Sequence, residues 1–373
     1  MNPSTILADT STAAPGSVLP DTSAADRAAK RARVLDILAA AGRDSVLLTS
    51  QSAVSWYLDG SRVGISLAGD PIAAVLVTAG GDHVATFNNE AERLAAEELP
   101  ADVTLHEVPW HGSLTDVSAW FGAGVAPAAE AELADALRLA RRSLLPGELH
   151  RYEALCRDAA EALTEVLTHV TPRTTERDIA ASLAGHLVAA GADPLVLLAN
   201  GASRVAFRHP LPTDAVLGRR AMAVVCARRD GMIANVTRWV RFDGGTPAEL
   251  DAEARITAVE ADIFDATVPG ATVAEVLAEI RAAYDRHGFG PDQWRLHHQG
   301  GPAGYAGRDP RATDAVTDTV VLNQPFTWNP SGPGVKIEDT VLLEAGGIRP
   351  LSLDPHWPAT TVNGILRPQT LQL

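Results

Sequence analysis

FTWNPSGPGVKIEDTVLL, residues 326–343, is the stretch on which the fold turns. Two apolar runs, 326–329 and 335–343, flank a Pro- and Gly-rich segment, 331–334, and that pattern predicts a strand, a connection and a second strand. Upstream, 221–228 and 233–242 flank Arg229, Asp230 and Gly231, which predicts a hairpin because Asp-Gly accepts the positive φ of a tight turn. Long helices surround these strands. From residue 148 the apolar positions Tyr152, Leu155, Cys156, Leu163, Val166, Leu167 and Val170 keep three-and-four spacing, so Cys156 belongs to the core. Thr175 with Asp178 forms a capping-box pattern opening a helix to residue 190, and further helices are expected over 248–266 and 273–287. The C-terminal half therefore reads as α+β, with helices packed on one side of a curved, mostly antiparallel sheet.

The N-terminal part reads differently. A helix over 27–41, with Val34, Leu35 and Leu38 on one face and Gly42 as its stop, precedes strands at 45–49, 72–78, 83–87 and 103–108. Helices at 53–58, 90–98 and 114–120 alternate with them, which predicts a small α/β domain. The break LLPGE after a charged helical stretch, 130–145, places the boundary: a disordered tail over 1–25, one domain over 26–143 and a second over 144–373. Lys30, Arg31 and Arg33 read as a solvated helix face. Asp82, Glu90 and Glu92 read as turn and surface charges.

With 46 acidic against 31 basic side chains, the formal charge of −15 excludes a basic nucleic-acid-binding face. The 46% hydrophobic content is enough for a large core. Cys156 and Cys226 are too few and too far apart for a disulfide framework or a Cys-type zinc site. No apolar run is long enough to cross a membrane, and 1–26 lacks a basic region followed by an apolar one, so a cytoplasmic location is expected.

Four patches, in order, carry a resemblance: FRHPLPTD (207–214), DGMIANVTRWV (230–240), HHQGGPAGYAGRDP (297–310) and FTWNPSGPGVKIEDTVLL (326–343). Together they resemble the pita-bread superfamily of creatinase, aminopeptidase P, prolidase and methionine aminopeptidase, over residues 26–373. The resemblance implies a creatinase-type N-terminal domain, a pita-bread catalytic-type domain and a homodimer. It also implies a dinuclear metal site of two Asp, one His and two Glu. The matching positions here are Val224, Asn235, Gly301, Asn329 and Glu338, of which only Glu338 keeps a ligand. Two adjacent dications need several anionic ligands, so no metal and no cofactor is expected.

Creatinase is the metal-free member of that group, and its catalytic His lies in a patch matching FRHP. The resemblance thus implies His209 as general acid or base and Glu338 as its carboxylate partner, although Thr237 stands where creatinase has a second Glu. A histidine titrating near neutrality suits such a proton shuttle. Asn235, Asn329, Gln299 and Arg238 are candidate substrate contacts. Of His297 and His298 only one can face the pocket if the segment is a strand, and His298 is favoured. Tyr305, Trp328 and Trp357 are candidate apolar walls. Arg62, within SWYLDGSR (55–62), matches the segment that creatinase projects toward the partner subunit's pocket. The expected activity is metal-independent C–N or amide hydrolysis of a small polar metabolite. The alternatives are a lyase, isomerase or cyclase on the same pocket, or a pseudopeptidase that binds without catalysis.

Overall fold

The computed structural model of the chain describes residues 24–373; the tail expected over 1–25 lies almost wholly outside the described residues. The N-terminal part runs α1 (Ala24–Ala41), β1 (Ser45–Leu48), α2 (Gln51–Tyr57), β2 (Ala73–Thr78), β3 (Gly81–Phe87), α3 (Ala91–Glu97), β4 (Thr104–Val108), α4 (Val117–Trp120), β5 (Ala128–Ala129) and α5 (Ala134–Arg141). Its sheet has the order β4-β3-β2-β1-β5. The outer pairs β3–β4 and β1–β5 are parallel and the inner pairs antiparallel, so the domain is mixed α/β.

The chain then enters α6 (Pro146–Leu167), with Pro146 in the first turn and the Glu148 carboxylate accepting from the Leu145 amide at 2.8 Å. The expected capping box opens α7 (Glu176–Ala189): Thr175 Oγ1 accepts from Asp178 N and Asp178 Oδ2 from Thr175 N. Strands β6 (Asp193–Gly201), β7 (Arg220–Arg229) and β8 (Met232–Arg241) form one sheet, joined at its edge by the terminal strand Leu371–Gln372. Asp230 and Gly231 both take positive φ, +51° and +76°, which turns β7 into β8 as the Asp-Gly pair predicts. Helices α8 (Pro247–Ala266) and α9 (Val273–Arg286) follow, then β9 (Gly300–Pro302), β10 (Gln324–Trp328), β11 (Ser331–Gly332), β12 (Val335–Lys336), β13 (Val341–Glu344) and β14 (Gly347–Pro350). A second sheet has the order β14-β13-β10-β9.

The expected single strand over 335–343 is instead two, β12 and β13, separated by residues 337–340. The interruption has a clear cause. Thr237 N donates to Glu338 O, and the Thr340 hydroxyl both donates to Asn235 O and accepts from Asn235 N. Between Ile337 and Thr340, whose ends still bond to Pro330 and Leu351, this segment bonds across to β8 and links the two sheets. No helix among the described residues is long and apolar enough to cross a membrane.

Two charged groups expected on the surface are buried. Lys30 is fully inaccessible and pairs with Asp59 and with Glu148 at 2.9 Å; Arg151 meets Asp59 at 2.7 Å, and the Tyr305 hydroxyl donates to Glu148 at 2.8 Å. Asp82 is buried between Arg27, Arg31 and the Tyr57 hydroxyl. Helical periodicity marks which face of α1 is charged but does not reveal that this face meets carboxylates from α6 and the α2 turn. Removing one member of a buried ion network leaves the others unpaired, at a cost of about 3–5 kcal/mol. Lys30→Ala should therefore lower unfolding free energy by that amount in a denaturant titration; a loss under about 1 kcal/mol, typical of an exposed pair, would show that the network contributes little.

Candidate active site

Residues 337–340 carry Glu338 into the seam between the sheets, where its side chain is 3% exposed. Its Oε1 lies 2.7 Å from Arg308, its Oε2 lies 2.7 Å from Lys336, and Thr237 Oγ1 donates to Oε2 at 2.8 Å. Burial alone would raise its pKa, but Lys336 and Arg308 outweigh that and hold it well below the usual carboxylate range. One anion thus serves two nearly buried cations, and the group carries a surplus of positive charge.

Val224, Cys226, Asn235, Thr237 and Trp239 share one face of the β7–β8 hairpin, because cross-strand partners in register point the same way: Val224 faces Thr237, and Cys226 faces Asn235. Val224 packs with Leu198, Met222 and Trp239 into a small apolar cluster. Asn235 reaches Thr327 Oγ1, whose residue is paired with Gly301 on β9, so the positions matched to the family's ligands do converge.

What converges does not suit a pair of metal ions. The donor set is one carboxylate already held by two cations, two neutral amides, a valine and a glycine. A Cβ on Gly301 would meet the Pro310 carbonyl oxygen at 2.7 Å and the Ala312 nitrogen at 3.0 Å, so the 309–312 segment fills the space a histidine side chain needs.

Beside this seam lie three imidazoles. His209, exposed on the loop before β7, places Nε2 3.0 Å from His297 Nε2, and the His297 and His298 rings stack at 4.3 Å. Both histidines of the pair face the same way, contrary to the alternation expected of a strand, because β9 begins only at Gly300. Burial first, then Lys336 and the neighbouring rings, pulls His297 down to about 3. Burial, then Arg308 and Arg311, pulls His298 down to about 4. His209 is lowered by burial and Lys336, with Glu338 opposing. His297 and His298 are therefore neutral imidazoles at neutral pH. His209 and Glu338 share no hydrogen bond among the described residues.

A cavity of about 470 Å³ opens against His297, walled by Phe207 and Trp239 and edged by Arg208, Arg220 and Lys336. The Arg220 guanidinium stacks 4.6 Å above Trp239. Cys226 also borders Glu338, but burial pushes its thiol up to about 12, so it is no thiolate nucleophile.

Several expected contacts lie elsewhere. Arg238 is on the opposite face of β8, paired with Asp339 at 2.9 Å and donating to Ser352 O. Tyr305 belongs to the buried Lys30 network. Trp328 is fully buried against Phe326, and Trp357 is buried with its indole donating to Gln369 O. Gln299 accepts from the Tyr284 hydroxyl and donates to Trp294 O and His297 O; both ends of its amide are engaged in shaping the histidine loop. Arg62 is engaged by Glu98 at 2.6 Å. Asn235 and Asn329 are buried at the seam, and Asn329 Oδ1 lacks a partner among the described residues. The sequence reading missed Lys336, Arg308, Arg208, Arg220, Phe207 and Trp239. Trp239 was accessible to it, since it follows Asn235 by four residues on one strand.

Comparison with known proteins agrees with this fold. The model of metallopeptidase family M24 matches residues 150–345. Similar solved structures include the prolidase from Pyrococcus horikoshii OT3, with TM-score 0.70, 18% identity and coverage of 87% of this chain and 98% of that one. The Xaa-Pro dipeptidase from Bacillus anthracis has TM-score 0.72 at 14% identity, covering 93% and 100%. Dipeptidase PepE from Mycobacterium ulcerans has TM-score 0.70 at 20% identity, covering 89% and 97%. No curated protein matches the chain.

A carboxylate with a depressed pKa contributes stability above its unfolded value, near 4.3, and that contribution is lost as pH falls toward its folded value. Glu338→Gln should therefore lower the melting temperature at pH 7, and the gap to the wild type should narrow as pH drops below about 4. A gap independent of pH between 7 and 3 would remove the ion group from the account of stability.

Proposed function

This chain belongs to metallopeptidase family M24 and carries the pita-bread fold, and from that premise we propose a hydrolase that cleaves a C–N or amide bond of a small polar metabolite without the family's two metals. The capture of Glu338 by Arg308 and Lys336 carries this reading. With its one carboxylate engaged by two cations, the seam lacks the free anionic ligands that a pair of dications needs, and its surplus positive charge suits a substrate with an anionic group. The cavity edged by Arg208, Arg220 and Lys336, with aromatic walls, fits such a substrate.

In this reading His209 removes a proton from water as the oxygen attacks the carbonyl or amidine carbon, then returns it to the nitrogen as the C–N bond breaks. His297, 3.0 Å away, fixes the tautomer of His209. Glu338 acts through its field on the imidazole and by holding Lys336 and Arg308 in place. The reading includes a cytoplasmic homodimer with a domain boundary near residue 143 and small molecules, not nucleic acid or membrane, as partners. A lyase, isomerase or cyclase would use the same imidazole.

One observation favours a second reading. Glu338 is fully engaged and makes no hydrogen bond to His209, as suits a binding protein that has kept the pocket without catalysis. A panel of dipeptides, N-acyl amino acids and guanidino acids separates the two. The proposed enzyme turns over a member of the panel in EDTA, and His209→Ala lowers kcat by about 10²–10⁴ with the melting temperature unchanged. Activity lost in EDTA and restored by Mn²⁺ would overturn the metal-free mechanism. A ligand that raises the melting temperature without being turned over would favour the binding protein.

A further inference from the structure

The three imidazoles have a second capability that proton transfer does not use. The nitrogen atoms offered by His209, His297 and His298 all lie within 4.8 Å of one another. His209 Nε2 and His297 Nε2 are 3.0 Å apart. Two imidazole nitrogens bound to one tetrahedral zinc at about 2.0–2.1 Å are separated by about 3.3 Å, so this pair needs to part by only a few tenths of an ångström. His298 needs a larger ring rotation, which its place in the irregular segment between Leu296 and Gly300 allows.

A second observation points to a ligand at the same place. His297 and His298 each keep a buried Nδ1 with no hydrogen-bond partner among the described residues. A buried polar atom left in that state costs about 1–3 kcal/mol. Either Nδ1, turned toward an ion, would find there the partner it lacks.

We infer that His209, His297 and His298 form a site for one transition-metal ion of the Zn²⁺ and Co²⁺ class, separate from the positions matched to the family's two metals. The donors are three neutral nitrogens without a carboxylate, which suits zinc, cobalt, nickel or copper and disfavours magnesium and calcium. Arg308, Arg311 and Lys336 flank the rings. Their charge selects an anion, hydroxide or a carboxylate, for the remaining coordination position. The site goes beyond the metal-free reading: an ion bound there takes the lone pair that His209 needs as a base, so it blocks that reaction.

The test uses the full chain, stripped with EDTA and dialysed, titrated with Co²⁺ and read by the visible d–d bands of low-coordinate cobalt. We expect saturation at one equivalent, displacement by Zn²⁺, and no change with Mg²⁺. His209→Ala and, separately, His298→Ala should each weaken binding at least about tenfold, while Asn329→Ala, at a position matched to the family's metals, should leave it unchanged. No low-coordinate spectrum in the wild type would overturn the site, as would full binding by the folded His209→Ala/His298→Ala double variant or loss of binding in folded Asn329→Ala. Turnover is a separate readout. Activity that requires Co²⁺ or Zn²⁺ would overturn the metal-free mechanism and leave the site standing.

Discussion

The seam between the two C-terminal sheets is organised by one buried carboxylate that cannot stand alone. Transferring Glu338 out of water costs several kcal/mol unless cations and donors meet it, and here Lys336, Arg308 and the Thr237 hydroxyl do so. That requirement fixes where the neighbouring parts can be. Lys336 must end β12, Arg308 must fold back over the seam, and Thr237 must stay in register with Val224 on the hairpin. The local field follows from the same count, since two cations share one anion and leave the surroundings positive.

The two sheets meet because residues 337–340 abandon strand geometry. Asn235 exchanges both backbone bonds with the Thr340 hydroxyl, and Thr237 N donates to the Glu338 carbonyl. A continuous strand would have alternated Glu338 and Asp339 to opposite faces without joining the sheets. In the actual chain Asp339 still turns away, to Arg238 and Arg367, and forms a second ion group behind the sheet. The two adjacent acids therefore serve unrelated structures. This explains why Arg238, next to Thr237, belongs to the core behind the pocket.

Local signals were legible in the sequence wherever a few adjacent residues determine the outcome. Asp230-Gly231 gave the hairpin, Thr175 with Asp178 gave the helix start, and the three-and-four spacing around Tyr152 gave the long helix and the buried Cys156. What remained hidden is set by partners distant in sequence. Lys30 looks like any charged residue on a helix face until Asp59 and Glu148 are placed beside it. Tyr305 and Trp328 lie in site-like patches, yet each points into packing that only the fold defines. The histidine pair shows the limit most clearly: alternation holds inside a strand, and the strand starts two residues after His298.

The imidazole cluster then follows from the same electrostatics. A histidine beside buried cations resists protonation, because a second positive charge would add to an existing surplus. Its lone pair stays available. A lone pair that rejects a proton can act as a base only if the proton it takes is passed on quickly, here to a leaving nitrogen or to the facing His297. It can equally bind a soft cation whose charge is spread over several ligands and offset by a bound anion. Proton and metal ion compete for the same atoms, and the cationic flank opposes both, so a metal ion is held there only with a bound anion that offsets its charge.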